Sequence, residues 1–138
     1  MQEVYRKVIE FKRKYPGTVT HHRLKKHSKI IEKHLNPGEM VRYVFAGQKN
    51  ASPFDFFETA VVAITNKRVL IGQKRVLFGY FLSSITPDLY NDMQVISNLI
   101  WGSVIIDTVK EVIQISNISK KALPEIETEV TSFMMEAK

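Results

Sequence analysis

Residues 57–72 read FETAVVAITNKRVLIG. Phe57 to Thr65 is an apolar, β-branched run of the kind that forms strands. Asn66-Lys67 then offers a two-residue turn, since Asn tolerates a positive φ, and Arg68 to Gly72 resumes the strand pattern. The stretch is a hairpin, and the chain on both sides of it extends the same motif. Upstream, Met40, Arg42, Val44 and Ala46 alternate with Val41, Tyr43 and Phe45, which places a strand over 39–48. Downstream, Gln73-Lys74 reads as a second turn and Arg75 to Ser83 as a fourth strand. A loop of turn formers runs from Thr86-Pro87-Asp88 to Asn91-Asp92. Gln94–Trp101, Ser103–Val109 and Glu111–Ser116 supply three more strands, with tight connections at Gly102 and Lys110. Seven short strands on short connections predict a meandering barrel or sandwich, not βαβ units.

Helical periodicity brackets these strands. Val4, Val8, Phe11 and Tyr15 form one apolar stripe, and Pro16-Gly17 stops that helix. A second helix is predicted from Thr20 to Leu35, with Thr20 as its cap and Val19 stapled to Leu24. Leu24, Ile31 and Leu35 are its stripe, and Asn36-Pro37-Gly38 ends it. At the C-terminus, Ile118, Ala122, Ile126, Val130, Phe133 and Met134 share a face. Pro124 fits there if the helix starts near Ala122, or if a first turn from Ile118 kinks. A lone amphipathic helix after seven strands suits the open mouth of a barrel.

Several segments resemble the bacterial PH-like domains, particularly the YokE-like group, and more distantly GRAM domains. Leu35-Asn36-Pro37-Gly38-Glu39 is similar to the family's lead into the first strand, and Ala63 through Leu70 to its Thr-Asn-Lys-Arg hairpin. Tyr90 through Ile96-Ser97 is similar to the entry into the fifth strand. Ile118, Lys121 and Ala122 are similar to the start of the closing helix. The resemblance implies an α+β, mainly β fold: a PH-like seven-strand barrel capped by a C-terminal helix. It covers roughly residues 35–135. The expected organisation is an N-terminal two-helix basic hairpin over 1–35, followed by the PH-like domain over 36–138.

Composition narrows the chemistry. The chain has 138 residues and no cysteine, which removes disulfides, thiolate metal sites and a Cys nucleophile. The N-terminus is charged, unlike a secretory signal, and the most apolar stretch, Leu99–Ile106, is far short of the roughly 20 residues that span a bilayer. The expected location is the cytoplasm, with peripheral membrane contact at most. His21, His22, His27 and His34 contain no i, i+4 pair, so no metal site is expected. Asp88 and Asp92 flank Tyr90 in a turn-forming loop, where Asp bonds the backbone. The standard nucleotide, nucleophile-elbow and zinc-protease motifs are missing. No enzyme, catalytic residue or cofactor is expected.

The net charge of +6 is concentrated in residues 1–38, whose ten Lys/Arg face three Glu. Lys12, Arg13, Lys14, Arg23, Lys25, Lys26, Lys29 and Lys33 are therefore the candidates for an anionic surface. A second set, Lys49, Phe54, Phe56, Lys74 and Arg75, gathers at one barrel rim, because the first–second and third–fourth loops of a meander open at the same end. Lys49 stands nearly alone there, unlike the several cations of a phosphoinositide-binding PH rim. Lys67 and Arg68 read as a solvated turn, and Trp101 as a packing anchor. The expected function is a non-catalytic binding or scaffold module. Its partner is a protein or a second copy (a homo-oligomer), with an anionic membrane as a secondary partner. The alternative is a nucleic-acid-associated protein binding through the basic helices without base readout.

Overall fold

A computed structural model describes residues 3–17, 19–49, 59–74 and 79–136, with Lys49 and Lys74 described in their backbone alone. Two helices, α1 (Glu3–Lys14) and α2 (His21–His34), precede seven strands: β1 (Val41–Lys49), β2 (Thr59–Thr65), β3 (Val69–Lys74), β4 (Tyr80–Ile85), β5 (Tyr90–Ser97), β6 (Trp101–Thr108) and β7 (Val112–Ser119). A 3-10 turn at Lys120–Ala122 leads into α3 (Leu123–Glu136). The strands form one antiparallel sheet in the order β4-β3-β2-β1-β7-β6-β5. It curls into a PH-like half-barrel, with β4 and β5 as its edges.

The expected C-terminal stripe is buried as a whole: Ile118, Ala122, Ile126, Val130, Phe133 and Met134 lie against Phe45, Val62, Ile71, Val104 and Ile115 inside the curl. Pro124 causes no kink, because the 3-10 turn absorbs the chain up to Ala122 and Pro124 falls in the first turn of α3, where its missing N–H costs nothing. The opposite face of β1–β3 is covered as well. Val44, Ala46, Val61, Ala63 and Leu70 point outward onto Val4, Val8, Leu24 and Ile31 of α1 and α2. All seven residues of β2 are therefore buried, which explains its unbroken apolar run. Thr20 caps α2, its hydroxyl accepting the Arg23 N–H at 3.3 Å. Val19 and Leu24 share the outer core. The two N-terminal helices thus spend their apolar stripes on this chain's own sheet.

β1 meets β7 only at Gln48↔Ser116 and Lys49↔Ile115. Gly47 makes that crossing possible: a Cβ there would stand 2.6 Å from Ile115 Cγ2 and 2.7 Å from the Ser116 carbonyl oxygen. Farther along, β1 and β7 diverge. Phe11 of α1 packs at that end against Tyr43 and Phe45, with ring centroids 6.3 Å from each.

Several expected boundaries move. Gln73 and Lys74 are not a turn but the end of β3, paired with Phe81 and Tyr80. The fifth strand begins at Tyr90 rather than Gln94, because Tyr90 pairs with Thr108, and the loop before it contracts to a 3-10 turn at Pro87–Leu89. The fifth–sixth connection is at Asn98–Ile100, not Gly102. Gly102 lies inside β6, where the Leu123 side chain would be 2.6 Å from a Cβ. Asn66 keeps a negative φ, so the β2–β3 turn is not of the primed type. Its side chain instead accepts the Met40 N–H at 2.8 Å.

The largest correction concerns Arg68, which is an ion-pair partner and not a solvated turn residue. Its side chain is 16% exposed and that of Glu39 only 1%. Arg68 Nε donates to Glu39 Oε2 and Nη2 to Oε1, both at 3.0 Å. Thr65 Oγ1 (2.6 Å) and the Asn36 N–H (3.0 Å) also donate to the carboxylate. Arg68 further reaches the His34 carbonyl at 2.8 Å and Ser84 Oγ at 3.1 Å. Burial pushes the Glu39 carboxyl up, but these donors outweigh it and hold it at about 2 against an ordinary 4.5.

Two outcomes follow. Gly47→Ala should lower unfolding free energy by about 1–3 kcal/mol in a urea titration. Gly17→Ala, whose Cβ would meet nothing within 4 Å, is the control and should change it by less than about 0.5 kcal/mol. Glu39→Gln, which keeps the shape and removes the charge, should cost about 3 kcal/mol at neutral pH. Because the folded value is the depressed one, that contribution is complete above 4.5 and disappears as pH falls toward 2. Paired urea titrations should therefore converge across that window, and a gap independent of pH would contradict the assignment.

Candidate functional site

The outward face of α2 carries the charge that the fold leaves over. Helical spacing puts Lys25, Lys29 and Lys33 in one row, at i, i+4 and i+8, with His22 and Lys26 beside it. All five side chains are exposed. Across from them stand Gly79 and Tyr80, at the start of β4, so the helix and the sheet edge bound a groove of about 570 Å³ with Ile30 in its floor.

The aromatic wall is fixed by His34. Its Nδ1 lies 2.7 Å from the Ile30 carbonyl oxygen, a contact that requires the proton on Nδ1. Nε2 is then free to accept the Tyr80 hydroxyl at 3.0 Å, and the two rings pack at 5.2 Å.

The acids are directed elsewhere. Glu32, the only carboxylate of α2, accepts the Tyr5 N–H at 3.0 Å and so caps the first turn of α1. Among the described residues no carboxylate lies within ion-pair distance of Lys25, Lys26, Lys29 or Lys33. α1 is different: Arg6 bridges Glu3 and Glu10, and Lys7 also faces Glu3.

The eight anionic-surface candidates therefore do not form one patch. Lys25, Lys26, Lys29 and Lys33 come together in the groove. Arg23 is half-buried on another side of α2. Arg13 borders a mixed-sign surface with Glu3, Glu10 and His21. Lys12 lies beside Asn117 and Ser119. Lys14 is bound at 2.6 Å to Glu125, which also accepts the Tyr43 hydroxyl at 2.8 Å. The hydrogen bond to Glu125 raises the Lys14 ammonium above its usual range. Burial pushes Glu125 up, but Lys14 and Tyr43 hold it below the usual carboxylate range. Burial, then Glu125, pushes the Tyr43 phenol far up.

Of the rim set, Phe54, Phe56 and Arg75 lie outside the described residues, as do the side chains of Lys49 and Lys74. The topology does put the β1–β2 and β3–β4 connections at one end, since β1 and β3 both flank β2 in parallel. Asp88 accepts the Thr86 hydroxyl, a local turn contact. Sequence reasoning missed Tyr80, because nothing in a strand pattern says which helix its first residue will face.

Comparison with known proteins agrees with this architecture. A family model described as Bacterial PH domain matches residues 35–131. The solved structure of a pleckstrin homology domain from Shewanella amazonensis SB2B is similar in fold, with a TM-score of 0.51 at 12% identity over 86% of this chain and 93% of that one. No curated protein matches. The chain belongs to the bacterial PH domain family.

Proposed function

We propose that this chain is a non-catalytic binding module that docks an acidic segment of a partner protein across the lysine row of α2. The carrying observation is the groove itself: four exposed lysines with no carboxylate partner among the described residues, an apolar floor at Ile30 and an aromatic wall at Tyr80. Its shape supports a protein segment over a flat bilayer, because a concave surface between a helix and a sheet edge receives a convex chain with both charge and apolar content. Self-association through the helices' apolar stripes loses its basis, since those stripes are buried on the sheet. No helix among the described residues is long and apolar enough to cross a membrane.

Nucleic acid is the competing reading, because the same lysines would attract phosphates. Its signature is a steep salt dependence without sequence preference. The test uses the full chain with a glutamate-rich peptide carrying one Leu and one Tyr, and with duplex DNA, each across a salt series. The peptide should bind more tightly. Lys25→Glu/Lys29→Glu/Lys33→Glu should weaken it by roughly 100-fold while leaving thermal unfolding nearly unchanged. Tyr80→Ala should weaken it by about tenfold at an unchanged salt slope. Tighter binding of DNA, abolished by the same triple substitution, would replace this reading with the nucleic-acid one.

A further inference from the structure

Among the described hairpin turns, only the β5–β6 connection has two large apolar residues at its centre; the β6–β7 turn pairs Val109 with Lys110, and the β2–β3 turn has Asn66 and Lys67. Asn98 and Trp101 close the β5–β6 turn, the Asn98 N–H donating to the Trp101 carbonyl at 2.9 Å. Its two central residues are Leu99 and Ile100, 90% and 68% exposed. Such positions ordinarily hold Gly, Pro, Asn, Asp or Ser, and a branched apolar residue there gains nothing from the turn geometry. Leu99 is the most exposed large apolar side chain among the described residues. Neither residue belongs to either apolar core.

What surrounds the tip is cationic. Lys120 Nζ donates to the Leu99 carbonyl at 2.9 Å, and the next residue in the chain, Lys121, is exposed. Trp101 stands half-buried at the root of the turn, paired with Ser119. Ser119 in turn borders the surface on which Lys12 lies. In α3, the first carboxylate after Lys120 and Lys121 in the chain, Glu125, is engaged by Lys14 and Tyr43. Among the described residues neither Lys120 nor Lys121 has an ion-pair partner.

We propose that the Asn98–Trp101 turn is a membrane-anchoring tip that inserts Leu99 and Ile100 into the interface of an anionic bilayer. In that pose the two apolar side chains enter the acyl boundary. The Trp101 ring sits at headgroup level, and Lys120 and Lys121 extend along the surface toward lipid phosphates. Charge selects this occupant over a second copy, because two such tips in contact would bring four uncompensated lysines together. A protruding pair of apolar residues also fits a deformable fluid layer, which needs no matching pocket. This inference does not depend on the reading of the α2 groove. Together the two give a protein held at a membrane while its lysine groove engages a partner.

Trp101, the only tryptophan of the chain, is a built-in reporter. The full chain should co-sediment with phosphatidylcholine vesicles that contain phosphatidylserine, and only weakly with phosphatidylcholine alone. On binding, its Trp emission should shift to the blue and be quenched by brominated acyl chains. Leu99→Ser/Ile100→Ser should lower partitioning by about tenfold or more. Lys120→Gln/Lys121→Gln should lower it by roughly tenfold and remove most of the phosphatidylserine dependence. Both double variants alter exposed side chains, so their thermal unfolding should match the parent. Lys25→Glu/Lys29→Glu/Lys33→Glu should keep the blue shift, which separates this site from the groove. The proposal fails if Trp emission ignores vesicles, or if Leu99→Ser/Ile100→Ser partitions like the parent. It also fails if vesicles are inert while that variant abolishes a concentration-dependent dimer, a result that would assign the tip to a second copy.

Discussion

The buried pair between Glu39 and Arg68 is the contact on which the remaining architecture converges. A carboxylate that is 1% exposed is tolerable only when its lone pairs are filled, and here Arg68, Thr65 and the Asn36 N–H fill them. Arg68 spends its remaining donors on the end of α2 through His34 and on β4 through Ser84. One guanidinium thereby joins the second helix, the entry to β1, the β2–β3 turn and the sheet edge. A hydrophobic pair of similar volume would pack there, yet it would not specify the register of four elements at once.

That junction sets the angle at which the chain leaves α2 and enters the sheet, and so keeps α2 against the outer face of β2 and β3. With α3 filling the inside of the curl, β1–β3 become a layer buried on both sides. The consequence for function is a division of labour along α2. Its apolar stripe and Glu32 are consumed by packing and capping, and its lysines are excluded from both. The surface chemistry of this module is what remains after the interior has been satisfied.

Charge pairing shows the same logic. Lys14 and the lysines of α2 belong to one basic segment, but Lys14 meets Glu125, some 111 positions away in the chain. The Lys25–Lys33 row meets no carboxylate among the described residues. A sum of formal charges cannot separate the two cases, because ion pairing depends on distances that exist only after folding. Likewise the strand pattern runs through Leu99 and Ile100 to Trp101, whereas the folded chain places the turn at Asn98–Ile100 and leaves both side chains exposed.

The sequence by itself determined the kind and order of the elements. Period-two alternation in β1, the β-branched run of β2, the Thr20 cap and the Ile126-Val130-Phe133 stripe are local patterns, and local patterns follow from backbone geometry and side-chain spacing. It also exposed the two motifs around Glu39 and Arg68 as family marks. Only the tertiary structure decided that these motifs are one ion pair, that the helices pack on their own sheet, that Tyr80 faces the lysine row and that Leu99 stands in solvent. The physical reason is separation: each of these facts joins residues that share no periodicity, and only the folded chain brings them within the few ångströms over which burial and hydrogen bonding act.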